Sequence, residues 1–263
     1  MSAETLAPVD APVLYQQLLE RGRQCEGVVR QIALGLSWSL ASVEMEDGAI
    51  ATGLCFSPTE TPRNLPWPGT LKDRLSAELV PWLLRWNACE AVVGAAVINA
   101  VVNHASPLLD RAQPLHCRGA PHLAVFEHFK DQLVGKRVAI IGRYPGLDRY
   151  QDQFDFHCIE RRPGMKDLPD TAANWVLPES DWVFITASSI ANKTLPHLLT
   201  LSRNAQVVLM GPSMPWWPQW ADFGVNYLAG VRVVNPDRLL QILLEGGGTN
   251  IFGESVTYQL LPL

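Results

Sequence analysis

The sequence predicts an α/β protein whose second half is a parallel sheet with helices on both faces, preceded by a smaller α+β first half. Three observations carry this expectation. Short apolar runs recur between residues 136 and 210, each separated from the next by helical or loop material, which is how buried parallel strands linked by crossovers read. Each run passes directly into a loop holding glycine, a hydroxyl or a charge. The first half instead has two extended segments on either side of Glu46-Asp47-Gly48, a tight-turn sequence, with helical periodicity after them.

The elements follow in order. Val13, Leu14, Leu18 and Leu19, then Val28 and Val29, suit an amphipathic first helix within residues 11–29. Ile32 to Val43 and Ala49 to Phe56 read as an antiparallel hairpin. Proline-rich residues 58–68 read as a loop, and 70–104 as two or three helices. Residues 105–121, with Pro107, Pro114 and Pro121, place a boundary between a first domain over residues 1–115 and a second over 122–263. A helix over roughly 122–134 leads into a strand at Lys136 to Gly142. Strands at Phe154 to Ile159, Trp182 to Thr186 and Gln206 to Met210 follow, then one at Tyr227 to Val234 and a helix at 236–245. Such a succession is Rossmann-like.

Composition narrows the function classes. At 263 residues and 48% apolar, the chain can build a core without staples. Its net charge of −5 is spread along the sequence with no basic block, so the electrostatic footprint of a nucleic-acid binder is missing and no nucleic-acid partner is expected. Cys25, Cys55, Cys89, Cys117 and Cys158 are odd in number and far apart, which signals reduced thiols rather than a disulfide framework or a zinc site. The first residues, Met1-Ser2-Ala3-Glu4, do not read as an export signal. The most apolar run, Ala91 to Val102, is well short of the roughly 20 residues a bilayer span needs. A cytoplasmic protein without a membrane partner is the expectation.

In an open parallel sheet, ligands bind outside the carboxyl ends of the strands. Four loops stand there: Gly142-Arg143-Tyr144-Pro145-Gly146, Glu160-Arg161-Arg162-Pro163, Thr186-Ala187-Ser188-Ser189 and Gly211-Pro212-Ser213. The first has no Gly-x-Gly-x-x-Gly, so the glycine that lets a backbone approach a pyrophosphate is missing. Glu160, 18 residues beyond Gly142, stands near the place of a ribose-binding carboxylate, although second strands often end on a charge. In the third loop hydroxyls and amides from Thr186 to Thr194 precede an apolar helix near Leu195. They suit an anionic group at a helix start, or simple capping by Asn192 or Thr194.

Asn99 and Asn103, four apart on an apolar helix, share one face, and a buried amide must bond backbone or point into a cleft. Glu127 and His128 read as an exposed helix face, with a ligand or proton-transfer role as the rival. His104, His116, Cys117, His122, His128 and His157 cluster loosely, at no spacing of a compact metal site. Pro215-Trp216-Trp217-Pro218-Gln219-Trp220 cannot bury every tryptophan on a single helix face. One of them lines the pocket, forms a lid or marks a contact, unless the segment packs between domains.

At these loops the sequence resembles the family named for a "putative heavy-metal chelation" role. The resemblance rests on Val138-Ala139-Ile140-Ile141-Gly142 with Tyr144-Pro145, and on Ile159-Glu160-Arg161 with Pro163-Gly164. It continues in Thr186 to Asn192-Lys193-Thr194-Leu195, Gly211-Pro212-Ser213, Leu228-Ala229-Gly230 and Glu245-Gly246-Gly247-Gly248. Together these span nearly all of residues 122–255. Gly53-Leu54-Cys55-Phe56 and Gly94 to Asn99 resemble the enolase N-terminal-like domain that accompanies it. The resemblance implies two domains with a cleft between them, and a link to metal handling or cobalamin-type cofactor synthesis. A divalent heavy metal is the cofactor or cargo it implies. Ala187 stands where the family usually has glycine, and Arg143-Tyr144 replaces a more neutral turn, which makes the site more receptive to an anion.

The expected site therefore comprises Gly142, Arg143, Tyr144 and Pro145 cradling an anionic group, with Glu160 holding a hydroxyl or cation. Thr186, Ala187, Ser188 and Asn192 supply hydrogen bonds, Gly211, Pro212 and Ser213 the facing wall, and Asn99 the closing domain. Its ligand is a small anionic metabolite or a metal complex. Two rivals stand beside this reading. One is an enzyme using an adenosine-type cofactor such as S-adenosylmethionine or a nucleotide. The other is a structural member of an assembly, a homo-oligomer included, joined through the tryptophan segment.

Overall fold

The computed structural model describes residues 12–59 and 64–263. Residues 1–11, which include the stretch read for an export signal, and residues 60–63 of the proline-rich segment lie outside the described residues. The chain forms two sheets. Strands β1 (Gly27–Leu34), β2 (Trp38–Met45) and β3 (Ile50–Phe56) make an antiparallel sheet in the order β1-β2-β3. The other strands are β4 (Gln113–Pro114), β5 (Val138–Ile141), β6 (Phe156–Glu160) and β7 (Leu168–Pro169), then β8 (Trp182–Thr186), β9 (Gln206–Met210), β10 (Tyr227–Val233) and β11 (Val256–Pro262). These form one eight-stranded sheet in the order β4-β11-β10-β9-β8-β5-β6-β7.

From β7 to β10 all neighbours are parallel, and only β11 and β4 run antiparallel. Numbered from β5, the parallel strands lie 3-2-1-4-5-6, the doubly wound order whose switch point falls between its first and fourth strands, here β5 and β8. Alternation along each strand divides the side chains between two cores. Val183 and Ile185 of β8 join one core with the helices Ala88–His104 and Leu195–Leu201, while Phe184 joins the other with the helices Ala124–Leu133 and Pro236–Leu244. The small sheet supplies Val43 and Cys55 to the first core and Leu40 and Leu54 to the second.

Helix Ala88–His104 is buried along nearly all of its length from Cys89 to Val102, as a helix apolar on every side must be. Its start is capped by Asn87, whose Oδ1 accepts from the amides of Cys89 and Glu90 at 3.0 and 3.2 Å. It lies so close to β3 that a methyl group on Gly53 would sit 2.2 Å from the Ala96 carbonyl oxygen. No helix among the described residues is long and apolar enough to cross a membrane.

Several expected elements differ in the structure. The first helix covers only Val13–Arg23, and Val28 and Val29 belong to β1, where Val29 fills the core. The segment Ile32 to Val43 is not one strand: the chain reverses at Gly35-Leu36-Ser37 between β1 and β2. The turn at Asp47-Gly48 stands as expected, with the Met45 amide bonded to the Ala49 carbonyl at 2.9 Å. β11, absent from the sequence reading, closes the sheet against β10. Gln113–Pro114 pairs with β11, so these residues are part of the large sheet. The tryptophan segment is not one helix: an extended stretch turns into a 3₁₀ helix at Pro218–Phe223. Its side chains leave in different directions, and Trp216, Trp217 and Trp220 are all buried. They form core, not a lid or an exposed contact.

Candidate functional site

A cavity of about 1170 Å³ opens at the carboxyl ends of β5, β6, β8 and β9, around the switch point. Its wall contains Gly142 to Pro145, Glu160, Thr186, Ser188, Asn192 and Gly211 to Ser213. Two expected site residues are not in the wall. Ala187 is fully buried, and its amide donates to the Met210 carbonyl at 2.7 Å, tying β8 to β9. Asn99 is also buried, one layer behind.

Gly142 ends β5 with φ +95°, and a Cβ there would stand 2.9 Å from the Thr186 methyl carbon. Glycine is thus required both by the backbone turn and by the contact of the β5 and β8 loops. Arg143 is not available to an anion in the way its sequence position suggests. Its guanidinium is held between Asp148 at 2.5 Å and Asp167 at 3.0 Å, and Asp167 also accepts from the Gly164 amide at 3.0 Å. Two carboxylates on one cation leave no net positive charge to offer. The Arg143 guanidinium in turn holds the Asp148 carboxyl below the usual carboxylate range.

Glu160 serves the loops around it. One oxygen accepts from the Arg143 amide at 2.8 Å, and the other from the amides of Arg161 and Arg162 at 2.7 and 3.3 Å. Tyr144 points into the wall beside Phe126, with ring centroids 5.3 Å apart, and burial pushes its phenol well above the usual range. It stays protonated and able to donate.

In the β8 loop, the Thr186 and Ser188 hydroxyls lie 3.1 Å apart. Asn192 makes the capping turn that the sequence allowed, its Oδ1 accepting from the amide and hydroxyl of Thr194 at 3.1 and 2.7 Å. Lys193 follows with φ +68°. Its ammonium reaches the Ala191 carbonyl at 3.2 Å and lies over the Trp86 ring at 5.5 Å, and burial lowers its pKa to about 8.

The β9 loop is bonded to the first half of the chain. Asn99 donates to the Pro212 carbonyl at 3.1 Å, Asn103 donates to Asn99 at 2.7 Å, and Asn103 accepts from the Trp216 amide at 2.7 Å. Ser213 accepts from the Phe56 amide at 2.9 Å. The pairing expected for Asn99 is therefore with backbone, across the two halves.

Part of the wall lies outside the four expected loops. Trp38 and Phe56 come from the small sheet, Ser57 to Thr59 from the segment after it, and Gly248 to Asn250, Phe252 and Tyr258 from the last elements. His122 and His197 line it as well. Ser189 and Tyr258, only 1% and 2% exposed, are wall residues whose hydroxyls have no partner among the described residues. A buried unpaired hydroxyl costs about 1–3 kcal/mol, and a site that meets a ligand explains such groups. Glu127 bonds Lys130 at 2.6 Å and Tyr150 at 3.0 Å and, like His128, stands apart from the cavity. All five cysteines are buried and free. Among the described residues no three His, Cys, Asp or Glu side chains come together to hold a metal ion.

Comparison with known proteins places this architecture. A protein of unknown function from Desulfitobacterium hafniense DCB-2, of the DUF364 family, superposes with a TM-score of 0.78 over 95% of this chain and 97% of that one, at 24% identity. A second member of unknown function from Pyrococcus horikoshii gives 0.76 over 95% and 98%, also at 24% identity. These likenesses show the fold. An uncharacterized protein of Methanocaldococcus jannaschii is 28% identical over 134 residues, which are 48% of this chain and 52% of that protein. The match thus spans about half the length of that relative. Two family models, both described as "Putative heavy-metal chelation", match residues 15–102 and 124–262. As the second model alone covers more than half of the 263 residues, the chain belongs to the "Putative heavy-metal chelation" family.

Proposed function

We propose that the cavity receives a small organic ligand carrying a metal ion, a metal chelate rather than a bare ion. One observation carries this reading: a cavity of about 1170 Å³ whose wall offers hydroxyls, amides and imidazoles, with no cluster of three metal-binding side chains among the described residues. Its size lies just above the roughly 300–1,000 Å³ of sites for drug-sized ligands, where a few placed polar groups set orientation. A heavy metal held by protein alone needs a closed set of soft or borderline donors, whereas a chelate brings its own. Cobalamin-type cofactors and their precursors belong to this ligand class, and the family description supports the metal. In this reading Gly142, Thr186, Ser188, Asn192 and Ser213 contact the ligand, and Asn99 positions the wall.

A second reading, an enzyme using an adenosine-type cofactor, draws on the 3-2-1-4-5-6 strand order. Against it, the Glu160 oxygens already accept from three loop amides. Thermal unfolding separates the two. Nickel, cobalt and zinc are compared as chlorides and as citrate and histidine complexes, beside S-adenosylmethionine and ATP. A ligand at a hundred times its dissociation constant adds about 2.7 kcal/mol. The expected result is a shift with a complex that neither the metal salt nor the free chelator reproduces. Stabilisation by an adenosine compound alone, or by none of the panel, overturns the chelate reading.

A further inference from the structure

Resting on the chelate reading, we propose that His122 binds the metal of the ligand directly through its Nδ1 nitrogen. The Nε2 of His122 lies 2.9 Å from the Pro145 carbonyl oxygen. A carbonyl oxygen carries no proton, so Nε2–H is the donor, and in the neutral ring Nδ1 is left with its lone pair. No hydrogen bond among the described residues engages Nδ1. The ring lies against Phe252, with centroids 6.3 Å apart and planes at 50°. His122, Pro145 and Phe252 all belong to the cavity wall. One nitrogen pinned to a carbonyl and the other open is the arrangement that orients an imidazole for a metal.

His197, also in the wall, is set in the same way. Its Nε2 is 3.0 Å from Asn174 Oδ1, and Asn174 donates its own amide to the Thr171 carbonyl at 3.1 Å, so the amide oxygen faces the imidazole as acceptor. The other histidines are not candidates: His104 is paired with Asp47 at 2.9 Å, and His104, His116, His128 and His157 are absent from the wall. His122 is preferred to His197 because its partner is backbone and its ring is held by an aromatic neighbour. In the proposed step Nδ1 replaces one water on a metal that keeps its chelator. One metal–oxygen bond breaks, one metal–nitrogen bond forms and water leaves, and the neutral ring with its proton on Nε2 has none to release from Nδ1.

The probe is the copper(II)–iminodiacetate complex, which leaves coordination positions open, read by pulsed electron paramagnetic resonance and by titration calorimetry. The wild-type protein is expected to bind it with the modulation of one coordinated imidazole. His122→Gln, whose amide can still donate to Pro145, should lose that modulation and bind at least tenfold more weakly. His122→Tyr, which keeps a ring beside Phe252, should lose it too, and unfolding curves without probe establish that both variants fold. His116→Gln, at an exposed position outside the wall, should leave the signal unchanged. Binding with unaltered modulation in both His122 variants overturns the role of His122 while the cavity reading stands. Loss of the signal in His116→Gln alone assigns it to the surface and overturns the inference as well. No binding to the wild type, together with no thermal shift from any chelate, overturns both.

Discussion

The two sides of the cavity are built by different means. On the β9 side, Pro212, Ser213 and Trp216 are buried, and each is hydrogen-bonded to Asn99, Phe56 or Asn103 in the other half of the chain. On the β5–β6 side, residues 161–166 are exposed and the loops are tied by charge: Arg143 to Asp148 and Asp167, Glu160 to three amides. Buried neutral networks lose a full desolvation penalty when one partner goes, whereas exposed ion pairs contribute about 0–1 kcal/mol. The β9 side is thus a stiff wall whose integrity is inseparable from global stability. On the β5–β6 side only the rim at residues 161–166 and the Arg143–Asp148 pair reach solvent, because the Asp167 side chain is itself buried beneath Arg143.

The largest expected effect is at Trp216. Truncation to alanine removes a fully buried indole and should cost about 3–5 kcal/mol in urea unfolding. A cost below 1 kcal/mol would break the comparison at its firmest point. Asn99→Ala comes next, at about 2–3 kcal/mol, because it strands the Pro212 carbonyl and an amide hydrogen of Asn103. Lys193→Gly should act in the opposite sense. Glycine relieves the left-handed backbone and removes a cation that burial disfavours, so a gain of about 1 kcal/mol is expected. Because the folded pKa of Lys193 lies below its unfolded value, wild-type stability should rise between about pH 8 and 10.5, and the variant should lack that rise.

The smallest effect belongs to the charged side. Asp148→Ala should cost the least of these, because its half-exposed carboxylate is screened by solvent. Asp148 titrates below its unfolded value, so its contribution is present above pH 4 and is lost as acid protonates it through the lowered pKa. Acid titration of the two proteins should therefore show less loss in the variant. A loss equal to that of Asn99→Ala would erase the contrast between the two sides.

Much of this was legible from the chain, and for stated reasons. β5, β8 and β9 are short apolar runs, and period and composition alone place them, with the loops that follow. The start of β1 is hidden in the sequence because Val28 and Val29 continue the apolar series of the preceding helix, and only the small sheet decides that they are extended. β11 carries Gln259 within an apolar stretch and lies beyond a glycine-rich turn, so neither strict alternation nor a crossover marks it. Eleven of the thirteen expected site residues do line the cavity, since strand ends announce themselves. Arg143 could not be read correctly, because Asp148 and Asp167 lie on separate loops. Nor could His122 and His197, since Pro145 and Asn174 come beside them only through the fold.

The pairing of β4 with β11 has a consequence for the order of assembly. β1 to β3 find their partners in the next strand of the chain, while β4 must wait for β11, the last strand of the large sheet to be synthesised. Contacts so distant along the chain form late, after local ones have lowered the entropy of the search. Leu115 then docks on the Tyr258 carbonyl at 2.9 Å, and Tyr258 belongs to the cavity wall. The Tyr258 part of the cavity wall therefore adjoins a pairing that joins stretches far apart along the chain.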